Sequence, residues 1–541
     1  MIQAKFAVVS LAARTCFLAG ASLDVEPMKN HEVTATWKYH DGTKHSPWSI
    51  RNNLHVLDWA NRPLSFKIYP TIESLALPRD VPQTGVAALS ALSEAVPSAG
   101  GDAVLDIQDL ARILYFSAGI TKQREHSGGV IYFRAAACTG ALYEIELYVV
   151  TGDLPGLDAG VYHFNPADVA LRHLRKGDFR GNLAQATAME DAVARAPATI
   201  ICTGTYWRNA WKYQARTYRH FGWDSGTLLA NMMAVSAASG LPAEVVLGFV
   251  DDEVNRLLDL DTRREVSLCL VPIGRTAESS LPSPREAPVL GLETIPLSQR
   301  EVEYPVMFEM HEASSLESEE EVAQWRRRRP IFPSSALAGE AVRRHPLPSL
   351  EQPKDTIEQV ILRRGSTRTF DSTASITLAQ LSAILGRATQ GLSADFLEPP
   401  GAQLNDLYLI VHSVQALKAG AYFFNRERSI VELLKEGEFR AEAYHLGLEQ
   451  ELPADACVDI FFLADLKLIL EEYGNRGYRA VQLEAGAIGG RIYLSAYAQG
   501  LGATGLTFFD DDVINFFSPH ATGKAAIFLV AIGKPMKPKS Q

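Results

Sequence analysis

The chain has 541 residues, 47% of them hydrophobic, and a formal net charge of −11. That length exceeds what one ordinary core organises, so two domains are expected. The acidic balance argues against a nucleic-acid partner, which needs a basic face, and no long uninterrupted apolar run points to a membrane span.

Five cysteines (Cys16, Cys138, Cys202, Cys269, Cys457) are scattered without metal-ligand spacing. This pattern predicts reduced thiols, a cytoplasmic location and no metal centre. Residues 1–30 read as an N-terminal extension; 6–20 is apolar after Lys5, as in an export signal, but Arg14 interrupts it. The stretch 46–101 contains prolines, has no equivalent later in the chain, and reads as an inserted arm or lid of a first domain spanning 31–280. Within that domain the patterning predicts a helix beginning Asp109-Leu-Ala-Arg-Ile-Leu114, strands at 147–150, 198–202, 246–249 and 266–273, and a buried helix at 227–239 ending in Gly240-Leu241. Residues 281–354, rich in Pro, Ser and charge, have linker composition, and Arg326 to Arg329 read as a solvated helix end. A second domain at 355–541 carries a helix at 380–385, strands at 407–410, 458–463 and 525–532, and a buried helix at 487–499.

The second half echoes the first. Ala159-Gly-Val-Tyr-His-Phe-Asn165 recurs as Ala419-Gly-Ala-Tyr-Phe-Phe-Asn425, and Tyr213, Arg216, Tyr218, Arg219 recur as Tyr473, Arg476, Tyr478, Arg479. Gly240-Leu241 recurs as Gly500-Leu501, and Asp251-Asp252 as Asp511-Asp512, all at one offset of 260 residues, as from Gly177 to Gly437. A gapless register of this length means a duplicated α+β unit.

At the head of the second copy stands Arg363-Arg-Gly-Ser-Thr-Arg-Thr-Phe370, three guanidiniums and three hydroxyls suited to an anion. This run resembles the N-terminal flavin motif of the nitroreductase family. The resemblance implies FMN as cofactor, with Arg364, Ser366 and Arg368 holding its phosphate, ribityl chain and ring edge. At what reads as the matching place in copy 1, Tyr39-His-Asp-Gly-Thr-Lys44 resembles the start of the SagB-type azoline dehydrogenases, implying the same roles for His40, Thr43 and Lys44. Arg134-Ala-Ala-Ala-Cys-Thr-Gly-Ala-Leu-Tyr143 is similar to the family's Arg-x-x-Pro-Ser-Ala-Gly-Ala, with Ala137 in place of Pro and Cys138-Thr139 in place of Ser-Ala. It implies flavin contacts from Arg134, Thr139 and Gly140. Copy 2 has Glu398-Pro-Pro-Gly-Ala there, without the arginine.

The segment Trp211-Lys212-Tyr213, followed by Arg216, Tyr218, Arg219, Asp224-Ser-Gly226 and Asn231, is similar to the SagB-type core, in which the adjacent Lys-Tyr pair is catalytic. Copy 2 carries Glu472-Tyr473 instead. The family also places a backbone N–H near flavin N5, a role the resemblance assigns to Gly248 with Leu247 beside it. At the 260 offset copy 2 has Phe508, a side chain expected to block the ring. Members of the family are intertwined homodimers with their FMN sites at the interface. The resemblance thus implies a pseudo-dimer within one chain, with one good FMN site framed mainly by copy 1 and a degenerate one in copy 2. It implies a dehydrogenase passing hydride from a small-molecule, peptide-like or heterocyclic intermediate to flavin, with room for biosynthetic partner enzymes. An NAD(P)H-dependent nitro- or quinone-reductase and a non-catalytic scaffold subunit are the alternatives.

Overall fold

Two antiparallel sheets, one from each half, flank a central pair of long helices. The computed structural model describes residues 29–93, 102–126, 129–277, 281–328, 344–348, 353–398 and 402–536. Most of the expected extension (1–28), Arg329 and residues 399–401 lie outside them. The end of that extension is not loose: Asn30 is buried and its amide donates to the Tyr473 carbonyl.

The first half supplies β1 (Ser74–Ala76), the hairpin β2 (Ile120–His126) and β3 (Gly129–Arg134), then β4 (Ile145–Thr151), β5 (Gly160–Asn165), β6 (Ala170–Lys176), β7 (Ala198–Thr205) and β8 (Glu265–Ile273). Its sheet runs β1-β6-β5-β4-β7-β8. The second half supplies β9 (Arg344–Pro346), β10 (Asp406–Val411), β11 (Gly420–Asn425), β12 (Ile430–Glu436), β13 (Val458–Ala464), β14 (Gly502–Leu506) and β15 (Ala525–Gly533), in the order β14-β15-β13-β10-β11-β12-β9. Strands β4, β5, β7 and β8 are buried along their whole length because helices and loops cover both faces, hence their runs of Val, Ile and Leu. In place of the expected strand at 246–249 there are isolated bridges at Ala243, Val245 and Val246, where the second half has β14.

One edge strand of each sheet comes from a segment the composition marks as accessory. β1 lies in the arm and pairs with β6; β9 lies in the linker-like stretch and pairs with β12. That stretch also folds into helices Pro305–Ala313 and Glu319–Arg326, with Trp325 2% exposed. Its charge and prolines hide the few apolar side chains that anchor it.

Helices Thr217–Ala238 and Arg476–Ala498 form the interface between halves. Their backbones touch through glycines that the repeat carries in both copies. A Cβ on Gly226 would lie 2.3 Å from the Leu483 carbonyl oxygen, and one on Gly486 2.4 Å from that of Trp223. Each helix ends at a glycine with φ of +70°, Gly240 and Gly500, and the following leucine amide bonds back to Ser236 or Ala496.

Two crossed buried ion clusters lock the halves. Arg216 and Arg219 of the first half reach Asp510 of the second, at 3.1 and 2.6 Å. Arg476 and Arg479 of the second reach Asp251 of the first, both at 2.6 Å. Helix Thr34–Gly42 and the residue after it serve the first cluster, where the His40 carbonyl and Thr43 hydroxyl accept from Arg219. Helix Pro305–Ala313 serves the second, through His311 and Ser314. The clusters also correct the register. The Val250 and Phe509 amides bond equivalent carbonyls, Ala186 and Leu446, so the offset slips to 259 and Asp251 matches Asp510 rather than Asp511. Three consecutive aspartates, 510 to 512, hide the slip. Thr507, not Phe508, therefore stands in the place of Gly248. Phe508 is buried with Arg216 5.5 Å from its ring, as Arg476 lies 4.5 Å from Phe249, so it packs in the interface and does not project into a site.

Candidate active site

Lys212 and Tyr213 end the helix Tyr206–Tyr213. The chain then turns through Gln214, at φ +52°, before the central helix begins; the second half uses Gly474 at φ +66° for the same turn. A left-handed conformation at a non-glycine residue is a strained one, and it fixes how the Lys-Tyr pair leaves the helix. The arm packs over this corner: Trp211 donates to the Asp58 carbonyl at 3.0 Å, His55 bonds the Trp211 carbonyl, and Trp59 lies edge-on to Trp211. Lys212 faces solvent on one side, and its ammonium lies 5.1 Å from the Tyr213 ring centroid.

Opposite stands the loop after β3. Gly140 has φ +63°, and a Cβ there would sit 2.7 Å from the Tyr213 hydroxyl, so only glycine fits. The Thr139 amide and hydroxyl both donate to Asp224, at 2.9 and 3.0 Å. Arg134 turns its guanidinium away, donating to Ser65 and lying between the Phe66 and Tyr143 rings. What it offers the site is its carbonyl, which with that of Ala135 accepts from Arg364 of the other half, each at 3.0 Å.

Arg364 thus ties the halves together. Behind it, Ser366 lies 3.3 Å from the Tyr493 hydroxyl, which also accepts from the Gly505 amide. Arg368 is exposed, and its charge acts on Lys212. Lys122 caps the Arg363 and Arg364 carbonyls. Among the described residues, no carboxylate pairs with Lys122, Lys212, Arg364 or Arg368. Loss of hydration and the Arg368 charge lower the Lys212 pKa. Burial, then the negative charge of Asp224, push that of Tyr213 up.

The structure therefore brings Lys212, Tyr213, Thr139 and Gly140 of the first half together with Arg364, Ser366 and Arg368 of the second. It does not bring in Gly248 and Leu247, which belong to the opposite, pseudo-symmetric site. There the Leu247 and Gly248 amides both donate to Asp395, each at 2.8 Å. Arg326 donates to the Gly248 carbonyl and pairs with Glu190 at 2.8 Å. The space a Gly248 Cβ would enter is bounded by Asp395, Arg326 and the Trp325 ring. Arg326, expected as solvated, is thus part of a plug. At the open site the Thr507 amide, the counterpart of Gly248, faces no acceptor among the described residues.

His40, Thr43 and Lys44 also lie apart from the Lys-Tyr pair. His40 and Thr43 are buried in the Asp510 cluster, and Lys44 pairs with Asp41 and Asp511, at 2.9 and 3.0 Å. They match His311 and Ser314, not the Arg364 motif. Their position near the N-terminus, ahead of the first copy, suggested a match that the packing does not make.

Comparison with known proteins fits this architecture. The nitroreductase family profile matches twice, over residues 106–275 and 361–534. A Methanocaldococcus jannaschii protein named as a candidate nitroreductase, MJ1384, is 28% identical over 174 residues, 32% of this chain and 83% of its own length. The trifolitoxin-processing protein TfxB of Rhizobium leguminosarum bv. trifolii is 29% identical over 138 residues, 24% of this chain and only 36% of TfxB. The crystal structure of an Anabaena variabilis protein, likewise a candidate nitroreductase, superposes with a TM-score of 0.75 at 25% identity, covering 93% of this chain and 99% of that one.

Proposed function

The chain belongs to the nitroreductase family, and from that premise we propose that it is an FMN-dependent dehydrogenase with one working site, built from both halves. One observation carries this reading: the Arg364, Ser366 and Arg368 motif of the second half faces the Gly140 loop and the Lys212–Tyr213 pair of the first. A cluster of cations, beside the Gly140 backbone and a Thr507 amide that has no acceptor among the described residues, suits a phosphorylated ring cofactor. At the other site Asp395 takes the amides, while Trp325 and Arg326 fill the space.

Bound flavin would accept a hydride from the substrate. The protein's part is to take the proton lost from the neighbouring substrate atom, so that the substrate gives up two hydrogens in all. Lys212, with its lowered pKa, is the base; Tyr213, whose pKa is raised, stays a phenol and donates a hydrogen bond. The relationship to TfxB favours a peptide-like substrate, of azoline-to-azole type, and the chain would then act beside other biosynthetic enzymes in the cytoplasm. The relationship to MJ1384 favours the second reading, an NAD(P)H-dependent reductase. Flavin released from the purified protein should equal one per chain; two would contradict a single working site, and none would remove the enzyme reading. Rapid bleaching of the flavin on mixing with NADPH would select the reductase.

A further inference from the structure

Beneath the Tyr213 hydroxyl lies a cluster of acids with no cation to balance it. Glu144 is fully buried and Asp224 is 5% exposed. The Cys138 sulfur is 3.4 Å from a Glu144 oxygen and 3.3 Å from an Asp224 oxygen, and one such atom from each residue lies within 4.8 Å of the other two. The thiol has one proton and can serve one carboxylate at a time. Asp224 has the Thr139 amide and hydroxyl as well, whereas one Glu144 oxygen has no hydrogen-bond partner. Among the described residues, no lysine or arginine pairs with either carboxylate. Two buried carboxylates in contact without a counterion cannot both be ionised.

The second half shows what an ordinary version looks like. Glu484, the counterpart of Asp224, accepts from the Leu404 and Asn405 amides and the Asn405 side chain. At the position corresponding to Glu144 stands Leu404. The acid pair is thus particular to the half that carries Lys212 and Tyr213.

The geometry assigns to Asp224 and Glu144 one shared proton, and to the resulting singly charged pair the task of keeping Tyr213 a neutral phenol, so that Lys212 alone is free to accept a substrate proton. Both are positioning residues, acting through Tyr213. Burial, then the neighbouring Glu144, push the Asp224 pKa up, in line with this assignment. The groups facing the pair are Cys138, Thr139 and Tyr213. Tyr213 in turn has the His220 ring 4.7 Å from its own and the Lys212 and Arg368 charges beside it, and among the described residues no cation pairs with either carboxylate. The catalytic consequence rests on the function proposed above, but the shared proton does not.

Infrared spectroscopy of the purified full-length protein at neutral pH tests the proton directly. Burial pushes the Glu484 carboxyl up to about 7, so difference spectra are needed. They should show one protonated-acid carbonyl band that the wild type has and Glu144→Leu and Asp224→Asn each lack. The leucine is the residue the second half tolerates at that place, which guards against misfolding. Persistence of the band in both variants would overturn the assignment. So would a stoichiometric divalent metal in the wild type that disappears in Asp224→Asn, since a cation would then replace the proton. Ultraviolet titration, with Tyr213→Phe subtracted, should show the Tyr213 phenol ionising about one pH unit or more lower in the Glu144→Gln/Asp224→Asn double variant. An unchanged titration would overturn the role given to the pair. A protein without flavin would sink the enzyme reading while leaving both measurements readable.

Discussion

The Gly248 amide donates to the Asp395 carboxylate at 2.8 Å, a contact made between the halves at the place that Trp325 and Arg326 fill. Asp395 also takes the Leu247 amide, and its side chain is 1% exposed. Replacing it with alanine leaves two buried N–H groups without an acceptor, each costing about 1–3 kcal/mol. Asp395→Ala should therefore lower the melting temperature while flavin per chain stays at one, because Trp325 and Arg326 still fill the space. Flavin released by denaturation, set beside a melting curve, checks both parts; a rise to two would show that Asp395 alone bars the second site.

Lys212 and Tyr213 should separate by role. Lys212→Ala is expected to lower turnover roughly 100- to 10,000-fold, the usual worth of a positioned base, with flavin content unchanged. Tyr213→Phe should cost less, since it removes a donor and leaves the base. With the Lys212 pKa lowered by lost hydration and by Arg368, the wild-type rate should climb with pH and level off below the ordinary lysine value. Arg368→Gln removes the repulsion and should move that rise to higher pH. A profile unaffected by Arg368→Gln would remove Lys212 as the titrating group.

How much of this was legible in the sequence follows from what each residue touches. The repeat was legible because both copies keep their helix-packing glycines, Gly226 and Gly486, and their interface arginines at one spacing. The assignment of residues to sites was not. Lys212 and Gly248 lie 36 positions apart in one copy, yet they serve opposite sites because the halves exchange elements. Arg364 meets the Arg134 carbonyl across 230 residues, a relationship no local pattern reports. His40 and Thr43 looked like half of a phosphate motif, but their partners are Arg219 and, through it, Asp510. The plug was hidden in linker composition, where Trp325 and Arg326 give no periodic signal. Glu144 and Cys138 passed unremarked as chemistry because their partner, Asp224, comes 80 residues after Glu144.

Gly226 sets the helix crossing, so its substitution should act on stability before function. A methyl group 2.3 Å from the Leu483 carbonyl oxygen has no flexible neighbour to displace. Gly226→Ala should destabilise by about 1–3 kcal/mol or more, the range for overpacked cores. Gly240→Ala, at a helix end with open space around it, carries only the cost of its φ of +70°. Denaturant unfolding of the two variants side by side distinguishes packing strain from backbone strain.

Arg368 is the cleanest probe of the cofactor. It is exposed and has no hydrogen-bond or ion-pair partner among the described residues, so Arg368→Ala should leave stability within about 0.5 kcal/mol. Arg364→Ala should do otherwise, since Arg364 also holds the Arg134 and Ala135 carbonyls. If both face an FMN phosphate, flavin affinity falls in each, but only the second variant also melts early. Unchanged flavin affinity in Arg368→Ala would place the phosphate elsewhere.

The crossed ion clusters predict where acid separates the halves. Burial works against charge on Asp510, but Arg216 and Arg219 outweigh it and hold the carboxyl at about 2, below its ordinary 3.8. A depressed folded-state pKa means the unfolded chain binds the proton more readily. Its contribution is therefore full above about pH 4 and disappears as pH falls toward 2, amounting to roughly 2 kcal/mol at 1.36 kcal/mol per unit. Asp251, held down by Arg476 and Arg479 against its own burial, acts in the same direction. Stability should thus fall between pH 4 and 2. Asp510→Asn should flatten that fall, while being destabilised at pH 7, where it leaves Arg216 and Arg219 buried without a counterion. A pH series of urea midpoints for wild type and Asp510→Asn decides it: parallel curves would mean the acid sensitivity arises elsewhere.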